Sequence, residues 1–156
     1  KLGYNNPLLQ RRPCHLGEEM RDLMDNACRP GRLEWVGAEL PPVDTDPMIL
    51  RMIVANLLDN ACKYGAPDQP VTLHLMARRR EGQNWQCLRV TNRPCQNHWP
   101  DPEKLFEKYY RSAQSHEHSG SGLGLYLSNR LAEQLGGALC YRPTSSEIGF
   151  ELWIPA

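Results

Sequence analysis

The sequence predicts an α+β domain with three helices layered on one face of a mainly antiparallel sheet, on three observations. Apolar residues recur at three- and four-residue spacing in three separate stretches, and strict alternation appears in two pairs of segments joined by short turns. The length of 156 residues suits one hydrophobic core, so two full domains are not expected.

The elements follow in order. Residues 1–13 carry Pro7, Pro13 and the Asn5-Asn6-Pro7 turn signal without periodicity, and read as a linker or chain end, with the domain itself spanning 14–156. Leu16, Met20, Leu23, Met24 and Ala27 give a first helix of about three turns, stopped by Arg29-Pro30-Gly31. Leu33 to Val36 is a short strand. In Thr45-Asp46-Pro47, the Asp accepts otherwise unpaired backbone N–H groups and the Pro fits the first helical position, so a second helix starts there. It runs to Tyr64 and is expected to end on a left-handed Gly65. Val71 to Ala77 and the stretch through Leu88 and Val90 form a hairpin about an Arg80-to-Asn84 turn. Residues 93–121 are polar and broken by prolines, with one short helix at Pro102 to Tyr110; so long a loop points to function. Gly122 to Leu135 is the third helix, closed by Gly136-Gly137. Strands Ala138–Arg142 and Ile148–Ile154 finish the fold.

Composition removes several classes. With 18 basic against 18 acidic residues there is no global positive field, so no nucleic-acid partner is expected. No apolar run approaches the roughly 20 residues of a membrane span, and these residues are expected to make no membrane contact. Cysteines 14, 28, 62, 87, 95 and 140 include no C-x-x-C pair, which reads as thiols of a reducing, cytoplasmic compartment.

Two features carry chemistry. On a wheel of about 100° per residue, Asn60 lies near 40° and Lys63 near −20° of Asn56, a narrow polar stripe flanked by Ile49, Met52 and Ile53. Arg51, Ala55, Asp59 and Cys62 are read as the solvated face. Two amides and an ammonium turned inward need partners, which a bound anion with its metal would provide. Alternatively, the asparagines cap a neighbouring backbone and Lys63 snorkels to water. The second feature is Ser119-Gly120-Ser121-Gly122-Leu123-Gly124-Leu125 entering a helix: glycines allow close approach of a ligand, and a helix N-terminus presents N–H groups to phosphate. No Gly-Lys-Ser/Thr follows, so this is not a P-loop, and no βαβ unit surrounds it.

In this order the motifs resemble the ATP-binding catalytic domain of bacterial sensor histidine kinases, within the GHKL group of Hsp90-like, gyrase and MutL-type ATPases. Asn56-Leu57-Leu58-Asp59-Asn60-Ala61-Cys62-Lys63-Tyr64 is similar to the family's N box, and Leu105-Phe106-Glu107-Lys108-Tyr109-Tyr110-Arg111 to its F box. Gly120-Ser121-Gly122-Leu123-Gly124-Leu125 resembles its second glycine box. The resemblance covers about Leu16 to Pro155 and implies the Bergerat fold, a two-layer α/β sandwich holding ATP and Mg²⁺ under a mobile lid formed by the long loop.

Carried over by position, the resemblance implies that Asn60 holds Mg²⁺ with support from Asn56, and that Lys63 is a point charge on the phosphates. Tyr64 packs near the nucleotide, Arg111 neutralises the γ-phosphate from the lid, and Phe106, Tyr109 and Tyr110 anchor that lid, Tyr110 at the nucleotide. Gly120, Ser121, Gly122, Leu123 and Gly124 line the phosphates. One departure stands out. Where the family has Asp-x-Gly-x-Gly, with the Asp accepting from the adenine amino group, this chain has Asn92-Arg93-Pro94-Cys95-Gln96. Asn92 can still accept through its side-chain oxygen, and alternation from Leu88 and Val90 turns it to the core side.

ATP-hydrolysing relatives carry a Glu where this chain has Asn56, and an amide is no general base, so a protein side chain is favoured over water as acceptor. The resemblance implies transfer of the γ-phosphoryl to a histidine on a dimerisation domain, then to an Asp of a response-regulator receiver domain. The fragment alone should bind ATP–Mg²⁺ without autophosphorylating, and the full-length protein would be anchored in the bacterial inner membrane. His15 lacks the acidic-flanked helical setting of the acceptor, and the remaining histidines, His116-x-His118 included, read as surface or packing residues. The rivals are a degenerate docking module, marked by the altered Asn92 loop, and a stand-alone serine kinase of the anti-sigma type.

Overall fold

The computed structural model describes residues 8–26, 32–95, 98–108 and 124–156. Its elements are β1 (Arg12–Cys14), α1 (Leu16–Asn26), β2 (Leu33–Gly37), β3 (Val43–Thr45), α2 (Pro47–Tyr64), β4 (Val71–Arg80), β5 (Gln83–Asn92), α3 (Gly124–Gln134), β6 (Ala138–Tyr141) and β7 (Ile148–Pro155). The main sheet has the order β2-β4-β5-β7-β6; β2 runs parallel to β4, and every other pairing is antiparallel.

Alternation builds the core. Leu73, Leu75, Leu88, Val90 and Leu152 on one sheet face are buried with Leu50, Ile53, Leu57 and Leu58 of α2, Met20 of α1 and Ala132 of α3. This is the expected mainly antiparallel sheet with three helices on one face, made mixed by the parallel β2–β4 pairing. On the opposite face, buried Glu151 is satisfied by Arg89 at 2.9 Å and by the Trp153 indole N–H at 3.0 Å.

Strand β1 pairs with β3, Arg12 facing Thr45, so ordered pairing reaches back into the segment expected to be a linker. Asp46 explains part of this. One carboxylate oxygen caps α2 by accepting from Met48 N and Ile49 N, and the other accepts from Gln10 N at 3.0 Å. Of the helix expected at Pro102 to Tyr110, the described residues 102–108 form successive turns, with Leu105 N bonding Asp101 O and Glu107 N bonding Lys104 O, while Tyr109 and Tyr110 lie outside the described residues. Helix α3 ends as expected: left-handed Gly136 (φ 77°) donates to Glu133 O and Gly137 to Ala132 O, which satisfies the last carbonyls.

Cys62 is disulfide-bonded, which corrects the reading of all six cysteines as thiols; Cys14, Cys87, Cys95 and Cys140 are free. Spacing along the chain does not reveal pairs formed by tertiary approach. Among the described residues no helix is long and apolar enough to cross a membrane.

Candidate functional site

Helix α2 carries the N-box residues, and its buried arc is Leu50, Ile53, Val54, Leu57, Leu58 and Ala61. That arc places the polar stripe on the border between core and solvent, not inside an apolar surface as expected. Asn56 and Asn60 are half-buried, Lys63 is exposed, and Met48 and Met52 on the same side are 74% and 55% exposed. The apolar flank had suggested an inward stripe, yet flexible methionines tolerate water and here they face it. On the expected solvated face, Asp59 is exposed while Arg51, Ala55 and Cys62 are half-buried. Arg51 reaches Glu19 and Asp22 of α1.

Each stripe residue has its own setting. Lys63 bends back one turn to Asp59 at 3.1 Å, a surface ion pair that a stronger anion can replace. Asn56 Nδ2 donates to Ser128 Oγ of α3 at 3.2 Å. Asn60 makes no hydrogen bond or ion pair among the described residues, leaving an amide oxygen with acceptor capacity at the rim of the helix layer. Tyr64, half-buried, follows at the helix end.

That end is pinned to β5. Gly65 is extended (φ −85°, ψ 165°) rather than left-handed, and its N–H still bonds Ala61 O. Glycine is required by crowding: a Cβ would lie 2.5 Å from Ala61 O and 2.8 Å from Asn92 Nδ2. Arg32 donates to the carbonyls of Cys62 and Ala66, supplying the cation and donors that a helix C-terminus favours. Ala66 N bonds Arg93 O at 2.8 Å, and Asn92 Nδ2 donates to the same oxygen at 3.2 Å. Asn92 is 5% exposed, on the core side as alternation predicts. With its nitrogen committed, its Oδ1 is the group left to accept.

At the other end of the stripe, α3 begins against α2. A Cβ on Gly124 would lie 2.6 Å from Asn56 Oδ1, so any larger residue here forces the Asn56 side chain to move. From the Asn56 level to Gly65 is nine residues, roughly 13 Å along the axis at about 1.5 Å per residue. The structure thus brings Asn92, Tyr64, Lys63, Asn60, Asn56 and Gly124 along one helix. Tyr110, Arg111, Gly120, Ser121, Gly122 and Leu123, His116 and His118, and most of the expected lid lie outside the described residues. Sequence reasoning missed Ser128 and Arg32. The spacing Gly124, Ser128, Ala132 was the available signal for Ser128, since small residues four apart mark a close helix contact.

Residues 45–156 match the family described as "Histidine kinase-, DNA gyrase B-, and HSP90-like ATPase". The chain belongs to this family. It is 31% identical over 167 residues to sensor histidine kinase Hik2 of Thermosynechococcus vestitus, covering 99% of this chain and 42% of that protein. It is 32% identical over 111 residues to sensor protein GacS of Pseudomonas syringae pv. syringae, covering 70% and 12% respectively. Among solved structures, a mycobacterial sensor histidine kinase, MprB, superposes with a TM-score of 0.72 at 24% identity, covering 92% of this chain and 97% of that one, a likeness of fold. The chain spans less than half the length of the curated relatives it matches. Family membership makes it an ATP-binding catalytic domain of the sensor histidine kinase type, and does not favour the degenerate docking module.

Proposed function

We propose that the domain binds ATP with Mg²⁺ along the Asn92-to-Gly124 line and supplies the γ-phosphoryl to a histidine on a dimerisation domain of a longer kinase. A response-regulator receiver Asp is the next acceptor. The single observation behind this reading is the graded row of amides: Asn92 Oδ1 and Asn60 have spare acceptor capacity, while Asn56 is already fixed against Gly124.

Each residue has a distinct task. Asn92 Oδ1 accepts from the adenine amino group, and its pinned nitrogen makes the amide discriminate against a keto-bearing purine. Tyr64 packs near the base. Asn60 offers one hard oxygen to Mg²⁺, supported by Asn56. Mg²⁺ would take its remaining ligands from phosphates and water. When bound, Mg²⁺ neutralises phosphate charge that grows during transfer. Lys63 exchanges Asp59 for a phosphate as a point charge, and the first N–H groups of α3 at Gly124 add their partial positive charge. Gly120, Ser121, Gly122 and Leu123 would continue that cradle, with Tyr110 and Arg111 closing over it.

Asn56 cannot take a proton from water, so hydrolysis is unassisted and a nucleophilic imidazole brought by the dimerisation domain is the better acceptor. The domain alone, residues 14–156, then binds nucleotide without phosphorylating itself. Within the kinase it sits on the cytoplasmic side of the inner membrane.

Calorimetric titration tests this. The chain binds ATP in Mg²⁺ more tightly than without it, Asn60→Ala abolishes that difference, and Asn92→Ala narrows the preference for ATP over GTP. No binding by the unmodified chain at millimolar ATP would overturn the proposal.

A further inference from the structure

Ser128 is 3% exposed on α3, one turn after Gly124, and its hydroxyl accepts from Asn56 Nδ2. Gly124 closes on the same carboxamide: a Cβ there would stand 2.6 Å from Oδ1 and 3.0 Å from Nδ2. Two α3 positions one turn apart therefore grip a single α2 side chain. Within α3 only Ser128 and Ala132 are fully buried, with Leu125 and Leu131 partly buried against the core, so Ser128 is the one fully buried polar side chain of this helix. Apolar contact holds the helix down but is non-directional and sets no exact offset between polar groups. A directed bond from the half-buried Asn56 amide to the buried Ser128 hydroxyl does set one, because losing its geometry leaves that hydroxyl unpaired.

We infer that Ser128 is a positioning residue for the phosphate end of the nucleotide site, acting through Asn56 to hold the first turn of α3 at a fixed offset from Asn60. The inference rests on the proposed ATP site. N–H groups in the first turn of a helix lack partners within it, so the value of this end of α3 to a phosphate depends on how Gly124 is offset from the metal ligand. The bond also fixes the Asn56 rotamer, which turns Oδ1 toward Gly124 and commits the nitrogen away from any ligand. Ser128 touches no ligand itself. A simple packing hydroxyl would matter to stability alone, whereas this one matters to the triphosphate and not to the base, since Asn92 is held separately by Gly65 and Arg93.

The test is calorimetry on the chain with ATP–Mg²⁺ and with adenosine, using Ser128→Ala, Asn56→Ala and the double variant. The expected result is about a tenfold loss of ATP–Mg²⁺ affinity in Ser128→Ala with adenosine unchanged, and no further loss when Ser128→Ala is added to Asn56→Ala. If Ser128→Ala binds ATP–Mg²⁺ as the unmodified chain does, or loses ATP and adenosine in equal proportion, the inference is overturned while the proposed function stands. An unmodified chain that binds neither overturns the proposed function, and this inference with it.

Discussion

At Gly65, Ala61 O, Asn92 Nδ2 and Arg93 O crowd one Cα, so the smallest side chain is the only one that fits. Gly65→Ala is expected to cost about 1–3 kcal/mol through forced shifts, read in denaturant unfolding, and to weaken adenosine binding by displacing Asn92. Asn92→Asp is a sharper probe. It restores the family's usual residue but replaces the donor to Arg93 O with a carboxylate oxygen facing a carbonyl at the same 3.2 Å, so stability falls by about 1–3 kcal/mol rather than rising. Cys87 offers a pH readout. Burial pushes its thiol from 9.0 up to about 12. The unfolded chain loses that proton first, so this contribution to stability is complete below pH 9 and declines as pH rises from 9 toward 12. A stability–pH profile that steepens above pH 9 in the parent, and less so in Cys87→Ala, checks the sign. The inward turn of Asn92 was legible because alternation is a property of the strand. The role of Ser128 was not, since a serine within a helix reads alike whether it meets water or a buried amide.

Helix α2 shows what local rules decide and where they stop. Its start was legible to the residue, for Asp46-Pro47 encodes cap and first turn chemically. Its end was located but not its conformation, since the left-handed expectation for Gly65 rests on local statistics while the crowding that selects glycine comes from Ala61 O together with Asn92 at the end of β5, far away in sequence. Strands β1 and β3, three residues each, were missed because so short a run shows no alternation. Asp46 serves both α2 and the β1 segment, so Asp46→Ala should cost more than a lone cap: about 1–2 kcal/mol for the cap and roughly another 1 for Gln10 N–H. Gln10→Pro, which removes that donor and leaves the α2 cap in place, separates the two shares once compared with Gln10→Ala, which keeps the N–H. By contrast, Arg51→Ala should cost under about 1 kcal/mol, since its pairs with Glu19 and Asp22 are partly exposed.

For the molecule as a whole, three helices on one sheet face and the antiparallel ladder were legible from periodicity, and the parallel partnership of β2 with β4 was not, because pairing direction is set by the crossover and not by either strand's pattern. ATP–Mg²⁺ at roughly a hundred times Kd should add about 2.7 kcal/mol of stability, a rise of about 5–10 °C in Tm for a chain of this size, and Asn60→Ala should abolish most of it. The crossover has a kinetic corollary. Strands β4 and β5 meet through a tight turn at Glu81 and Gly82, whereas Leu33 finds Val71 across 38 residues. Short loops close before long ones, so refolding should assemble the central ribbon first and recruit the outermost strand last. Pulsed deuterium labelling should then mark Leu75 and Leu88 amides as protected well ahead of Trp35.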